Sequence, residues 1–167
     1  MAVAAFAAAD PKNLPPRERE FCSASRRYCL AVRTTDDWRS KHAVAEMRET
    51  GAGNRIVWSR VLPQELGPRY ALVADTGESV LFDEWINTMS PMAIVVLNRS
   101  GAPLRTISFR EIQEALAIPA DRIVSQAKFG PWMTEPPSLD DRAEVANVRT
   151  AGQTLSIRLA DGRLSRK

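Results

Sequence analysis

The sequence is poor in the residues that carry most enzyme and metal chemistry. Its 167 residues include one histidine, His42, and only two cysteines. His42 has no cysteine or second histidine at ligand spacing, so we expect an exposed histidine and no metal site. There is no Gly-x-Ser-x-Gly element and no Gly-rich phosphate loop between a strand and a helix. Triad hydrolysis and nucleotide binding therefore have no support, and we expect no cofactor.

The chain also lacks a strong charge bias and long apolar runs. Its formal net charge is +3, and its basic clusters are limited to Arg26-Arg27 and the terminal 163–167. We interpret these clusters as solvated surface and expect no nucleic-acid partner. No apolar run after residue 9 approaches the ~20 residues that a membrane-spanning helix needs, so we expect no membrane span.

The first nine residues are apolar and end in alanines before Asp10. They resemble the apolar half and the Ala-x-Ala cleavage site of a secretory signal peptide whose basic front is missing. The alternative is the Ala-rich start of a cytosolic chain. A Pro-rich segment follows, so we predict a signal remnant and disordered leader over 1–19, a single β domain over 20–167, and a periplasmic or secreted location.

The two cysteines, Cys22 and Cys29, flank a short polar segment that is suited to a hairpin turn. Across such a hairpin their side chains lie within the ~5.5 Å Cα separation that a disulfide requires. The rival interpretation is a redox dithiol, but the spacing differs from the Cys-x-x-Cys motif that lowers a thiol pKa. We therefore predict a structural disulfide, which agrees with export to an oxidising compartment.

The stretch 69–116 has the pattern of two consecutive β-hairpins. Gly77 and Gly101 fall in its turns, where a tight hairpin often needs the positive φ that glycine adopts freely. A capping-box spacing and one apolar face after residue 108 predict a short helix near 109–117. We therefore predict an all-β fold of antiparallel meander sheets with one short helix.

The chain repeats this unit at an offset of about 50 residues. The shift places 30–32 on 80–82 and 43–47 on 93–97. It predicts two full repeats and a third that lacks its first hairpin, over 20–68, 69–118 and 143–162. Residues 36–49 could begin as a helix, but the repeat favours a strand from Ala43. Residues 121–128 fit either a helix or an irregular strand.

Three segments of this repeat are Asp75-Thr-Gly-Glu, Ser79-Val-Leu-Phe-Asp and Val96-Leu-Asn-Arg-Ser-Gly-Ala-Pro-Leu. They resemble the hairpins of β-propeller repeat proteins, which are common among exported bacterial proteins. The resemblance implies blade-like sheets of four strands. A closed propeller usually has at least about four blades, and two and a half are predicted here. We therefore expect the sheets to pack as a sandwich or an open repeat, or to be completed by another chain.

Four residues are possible binding residues. Asp83 and Glu84 form an acidic pair, but adjacent side chains on a strand point to opposite faces unless the strand bulges. We interpret them as a strand-end polar pair, with a ligand or Ca²⁺ site as the alternative. Trp85 and Trp132 lie at or beyond strand ends, where loops carry recognition, although packing is the simpler role.

These features favour a noncatalytic, exported binding or assembly module. It would engage a protein or cell-envelope partner through the loops 83–91 and 129–137, or form a homo-oligomer through exposed strand edges. One alternative is a hydrolase that uses Asp83 and Glu84. Another is an inhibitor or immunity-type protein, which the sequence does not distinguish from the first hypothesis.

Overall fold

The computed structural model describes residues 14–51, 53–86, 89–142 and 144–167. Within these ranges the chain forms twelve strands and two short helices. The strands are β1 (Glu18–Cys22), β2 (Tyr28–Arg33), β3 (His42–Glu49), β4 (Arg55–Glu65), β5 (Tyr70–Val73), β6 (Ser79–Phe82), β7 (Ile94–Leu97), β8 (Pro103–Ile107), β9 (Ser138–Asp140), β10 (Val145–Thr150), β11 (Gln153–Arg158) and β12 (Leu164–Arg166). The helices α1 (Phe109–Leu116) and α2 (Ala120–Ser125) lie between β8 and β9.

The strands form three four-stranded antiparallel sheets, each a meander of consecutive strands. Sheet 1 contains β1–β4, sheet 2 contains β5–β8 and sheet 3 contains β9–β12. The predicted all-β fold of meander sheets is confirmed. The expectation that the third copy lacks its first hairpin is wrong, because β9 pairs with β10. A strand of three residues is too short to show the alternation by which strands are recognised.

Two hydrophobic cores hold the sheets together, and sheet 2 contributes to both. Leu81 and Val95 belong to the core shared with sheet 1, whereas Val80 and Phe82 belong to the core shared with sheet 3. Because adjacent side chains on a strand point to opposite faces, a strand covered on both sides is apolar throughout. This explains the continuous apolar runs of β6 and β7, in which every residue is buried.

The first strands of the sheets lie close together. β1 contacts β5, and β5 contacts β9. Further out, a cleft of about 480 Å³ lies between sheets 1 and 2, with Val61 and Pro63 of β4 on one side and Leu97 and Pro103 on the other. The sheets therefore fan outward from their first strands.

The outer face of sheet 1 and the outer face of sheet 3 each carry polar side chains, which form hydrogen bonds and ion pairs within their own sheet. In sheet 3, Ser156 Oγ donates a hydrogen bond to Asn147 Oδ1 at 2.7 Å. In sheet 1, the Glu46 carboxylate accepts from Arg48 Nε at 2.6 Å and lies 3.8 Å from an Arg33 nitrogen. No hydrophobic cluster joins sheet 1 to sheet 3 in the described part of the chain. Sheets 1 and 3 thus pack on opposite faces of sheet 2.

The chain is anchored earlier than the predicted leader boundary at residue 19. β1 begins at Glu18, and Leu14 packs against the core between sheets 1 and 2. The Pro15 carbonyl also accepts a hydrogen bond from Trp38 Nε1 at 3.0 Å. Proline favours extended backbone, which does not by itself prevent attachment. The signal-like residues 1–9 lie outside the described residues.

The ambiguous segments have definite structures. The strand predicted from Ala43 is confirmed by β3, and the helical alternative for 121–128 is confirmed by α2. The predicted helix near 109–117 is α1, which Ser108 and Glu111 begin with a capping box. Neither described helix is long and apolar enough to cross a membrane.

The predicted disulfide is confirmed. Cys22 and Cys29 are directly paired across β1 and β2, and a disulfide joins them. This bond fits an extracellular, oxidising location. Among the described residues, the one group of three potential metal ligands is Glu20 with these two cysteines, whose sulfurs are already bonded to each other.

Candidate functional site

Asp83 lies immediately after β6, at the end of sheet 2 nearest to loop 129–137. Its backbone is left-handed, with φ of 53°, so the alternation of the strand ends there. The side chain is fully buried, with 0% of its surface exposed. Its Oδ1 accepts a hydrogen bond from Trp132 Nε1 at 2.8 Å. Two of the predicted binding residues therefore meet, although 49 positions separate them.

The environment of Asp83 changes its acidity. Burial raises the pKa of this carboxyl from 3.8 to about 7, because the charged form loses its hydration. The hydrogen bond from Trp132 and the charge of Arg69 oppose the rise, whereas the charge of Glu84 adds to it. The second oxygen, Oδ2, has no hydrogen-bond partner among the described residues. Desolvation therefore dominates, and the carboxyl is partly protonated near neutral pH.

The carboxylates of Glu84 and Asp83 do not converge on one position where a substrate could bind. Its Oε1 accepts from the Glu65 backbone N–H at 3.0 Å, and its Oε2 accepts from Ser90 Oγ at 2.7 Å. A carboxyl with a pKa near 7 has the acidity that acid–base catalysis requires. Here, however, both carboxylates take part in hydrogen bonds that hold loops, and Asp83 is closed to solvent. The expectation that the two side chains do not converge agrees with this geometry.

Trp85 brings two arginines into the site. The Arg19 guanidinium lies 4.8 Å from the centre of its ring, and the Arg69 guanidinium lies 5.7 Å from it. Arg69 Nη2 also donates to the Trp85 carbonyl at 2.8 Å. All three side chains are half-buried. Such contacts are cation–π interactions, in which the face of the ring attracts the positive charge.

Neither arginine was singled out by the motifs of the sequence. Arg19 lies in β1 and Arg69 directly precedes β5, and these first strands of sheets 1 and 2 contact each other. The two are 50 positions apart, the offset of the repeat, and Arg19 Nη1 donates to the Arg69 carbonyl at 3.2 Å. Attention to charged residues at repeat-equivalent positions would have identified this pair.

Gly130 allows loop 129–137 to approach Asp83 closely. Its φ is 68°, and a Cβ at this position would lie 3.1 Å from Arg69 Cδ and 3.2 Å from Asp83 Oδ2. A side chain would therefore meet both strain and crowding. On the other side, the Trp132 carbonyl accepts a hydrogen bond from Thr150 Oγ1 of β10 at 2.5 Å. Trp132 is itself 0% exposed, so it positions the loop instead of presenting a ring to solvent.

Three aromatic rings continue the site along the first strands. The Phe21 and Tyr70 rings are 5.5 Å apart, and the Tyr70 and Phe129 rings are 5.6 Å apart, both with edge-to-face geometry. Pairs of this kind add stability beyond burial of their area. They bring β1, β5 and loop 129–137 into one contact.

These contacts join two loops, one in sheet 2 and one leading into sheet 3, into a single surface. We call the described residues of 83–91 and 129–137 the two-loop surface; Asn87 and Thr88 lie outside the described residues. Neither a family model nor a curated protein matches this chain. Its function must therefore be inferred from geometry, and the two-loop surface exposes two large apolar side chains, Ile86 at 43% and Met89 at 57%.

The lone histidine lies elsewhere. His42 begins β3, is exposed as expected, and lines the cleft between sheets 1 and 2. Its neighbours in the cleft include Val61 and Pro63 of β4. No acidic or sulfur ligand accompanies it in the lining that the structure describes.

Proposed function

We propose that this protein is a noncatalytic, exported binding module that engages a protein partner through the two-loop surface. The observation that carries the proposal is the hydrogen bond from Trp132 Nε1 to Asp83 Oδ1, which fixes two loops of different sheets as one surface. A surface that is ordered before binding loses less conformational entropy on association.

The chemistry of this surface suits a protein partner. Ile86 and Met89 offer exposed apolar area, and methionine adapts well to the shape of a partner. Half-buried Trp85, with Arg19 and Arg69 beside it, supplies the residue types that are enriched among energetically dominant interface positions. The carboxyl groups nearby hold the loops, which supports a binding role over hydrolysis.

Export is part of the same proposal. The disulfide between Cys22 and Cys29 supports it, because such bonds persist mainly in oxidising compartments. A chain purified from its native compartment with both thiols free would contradict this part of the proposal and leave the binding surface to be tested separately.

The surface is tested by site-specific photocrosslinking in cells that make the protein naturally. A photoreactive residue replaces Met89 in one variant and Val61 in the matched control, because both side chains are 57% exposed. We expect one defined protein to be crosslinked from position 89 and not from position 61. The double variant Ile86→Ser, Met89→Ser should then abolish the complex without lowering Tm, because both side chains are exposed.

Equal crosslinking from both positions would contradict the proposal. So would an unchanged complex in the double variant. Catalytic turnover that is lost when Glu84 is replaced by Gln would instead favour the hydrolase alternative.

A further inference from the structure

Unpaired polar atoms concentrate beside Trp85. Four of the buried side-chain atoms without a hydrogen-bond partner among the described residues belong to one cluster: Nε and Nη2 of Arg19, Nε of Arg69 and Oδ2 of Asp83. Buried polar groups are almost always paired with protein, water or an ion. A group of this size within a few residues therefore indicates a missing partner.

The unpaired donors are held in place by their neighbouring atoms. Arg19 Nη1 donates to the carbonyls of Pro68 at 2.6 Å and of Arg69 at 3.2 Å. Arg69 Nη2 donates to the Trp85 carbonyl at 2.8 Å. Each guanidinium is thus fixed at one end, and the nitrogens named above are buried without a partner among the described residues.

The cluster carries more positive than negative charge. The pKa of Arg19 falls to about 10, because burial disfavours its charge and Arg69 repels it. None of the ion pairs between described residues includes Arg19 or Arg69. The groups that act on the Asp83 carboxyl are Trp132, Arg69 and Glu84, and this carboxyl is partly neutral near pH 7. Partly buried charges without a counter-ion are costly.

We propose that Arg19 and Arg69 form a binding site for an oxyanion, a carboxylate or a phosphate-like group, beside the ring of Trp85. Guanidinium groups bind such anions with two parallel N–H bonds, and they do so best where water is partly excluded. Ordered water could pair with the same donors but would leave their charge unbalanced. Because Arg19, Arg69 and Trp85 are half-buried, the cluster lies close to the protein surface. It takes a small ligand and does not depend on the protein partner proposed above.

The anion competes with the Asp83 carboxylate for Arg69. Between pH 6 and pH 8 the neutral fraction of a carboxyl with a pKa of about 7 falls about tenfold. Binding of sulfate, whose charge does not change in this range, should therefore weaken by up to about tenfold from pH 6 to pH 8. The variant Asp83→Asn should bind sulfate equally well at both pH values.

The test is an NMR titration of the purified protein that follows the arginine Nε–H signals. Sodium sulfate and sodium acetate are added separately, with sodium chloride at matched ionic strength as reference. We expect saturable shifts of the Arg19 and Arg69 signals with at least one of the two anions. Shifts with sulfate alone would identify a phosphate-like group as the natural ligand. Shifts with acetate alone would identify a carboxylate. Arg105, which is also half-buried but pairs with Glu111 at 3.3 Å, is the matched control.

The proposal is overturned if Arg19 and Arg69 shift no more than Arg105 with both anions. It is also overturned if Arg69→Gln, folded by its NMR spectrum, binds as the unchanged protein does. If Arg69→Gln does not fold, the pH comparison between the unchanged protein and Asp83→Asn decides instead, and equal pH dependence in both contradicts the site. Loss of photocrosslinking from position 89 would bear only on the partner surface.

Discussion

Glu49 and Asp83 are both buried carboxyl groups at the ends of strands, yet the protein gives them opposite acidities. Glu49 accepts hydrogen bonds from Arg55 Nη2 at 2.8 Å, from Arg27 Nη2 at 2.9 Å and from the Tyr28 hydroxyl at 3.2 Å. These donors lower its pKa from 4.5 to about 2. Asp83 accepts one bond, from Trp132, and burial raises its pKa to about 7.

The two shifts have different main causes: burial raises the pKa of Asp83, whereas hydrogen bonds from Arg55 and Arg27 lower the pKa of Glu49. Glu49 is paired on both oxygens by charged groups and fastens sheet 1 at one end. Within the part of the chain that the structure describes, Asp83 has one neutral donor and one unpaired oxygen. Of the two carboxyl groups, only Asp83 has an oxygen that can still accept a hydrogen bond. Such groups with shifted pKa values are more typical of functional sites than of purely structural positions.

The largest expected effect is loss of the Trp132 side chain, which packs in the core and donates to Asp83. Trp132→Ala removes a fully buried ring that packs in the core between sheets 2 and 3. We expect a loss of about 4 kcal/mol in the free energy of unfolding, measured by urea denaturation. The control Trp132→Phe keeps most of the ring volume and should lose much less. Equal losses in both variants would show that the hydrogen bond outweighs packing.

Asp83→Asn should stabilise the protein above neutral pH. Between about pH 4 and pH 7 the unfolded chain releases the Asp83 proton while the folded protein retains it, so stability falls as pH rises through this window. The neutral amide avoids this loss, and we expect a gain of about 2 to 4 kcal/mol at pH 8. Urea midpoints at pH 4 and pH 8 measure it. A gain of the same size at pH 4 would contradict the assignment.

Glu49→Gln should act in the opposite direction and in a lower pH window. The pKa of Glu49 is depressed, so its contribution is complete above about pH 4.5 and is lost as pH falls toward 2. We expect Tm at pH 7 to fall by about 5 °C. Near pH 2 the variant and the unchanged protein should melt together. A constant difference across the whole range would mean that shape, and not charge, matters at this position.

The smallest effect is expected for replacement of Arg55, one of the two arginines that pair with Glu49. The Arg55 side chain is 64% exposed and donates at 2.8 Å. Exposed ion pairs are screened by water, so Arg55→Gln should lower Tm by only about 1 to 2 °C. Thermal melts in 0.05 M and 0.5 M sodium chloride test this, because salt should remove the difference. A salt-independent loss would contradict the electrostatic interpretation.

Local features of the fold could be predicted from the sequence. The hairpins of sheet 2, the α1 capping box and the Cys22–Cys29 pair depend on residues that are near in sequence, and their turn and spacing signals are strong. β9 was missed because its three residues carry no pattern. The order of strands within sheets 1 and 2 followed from the hairpins alone.

The register of strand pairing was harder to predict from the sequence. Leu30 lies opposite Met47 in sheet 1, whereas its counterpart Val80 lies opposite Val96 in sheet 2. The match of β3 to β7 is therefore 49 positions and not the 50 that sequence similarity suggested. A slip of one residue exchanges the two faces of a strand, and apolar side chains on both faces of β7 conceal the exchange.

The candidate site could be predicted only in part. Asp83, Glu84, Trp85 and Trp132 were recognised as residues, but the contact between Asp83 and Trp132 depends on how sheets 2 and 3 pack. No local signal encodes a contact across 49 positions. Nor does the sequence show that only one of the two Asp83 carboxyl oxygens accepts a hydrogen bond, because this depends on the distance of Arg69 from these oxygens.

The double-sided burial of sheet 2 has a consequence for how the chain is made. Sheets 1 and 2 can form from local hairpins as soon as they leave the ribosome, because each is a meander of consecutive strands. The face with Val80, Phe82 and Ile94 is then only partly covered, by α1, α2 and loop 129–137, until β9–β12 has been synthesised. Nascent chains that end before residue 138 therefore expose part of this apolar face, and it is there that we expect chaperones to bind.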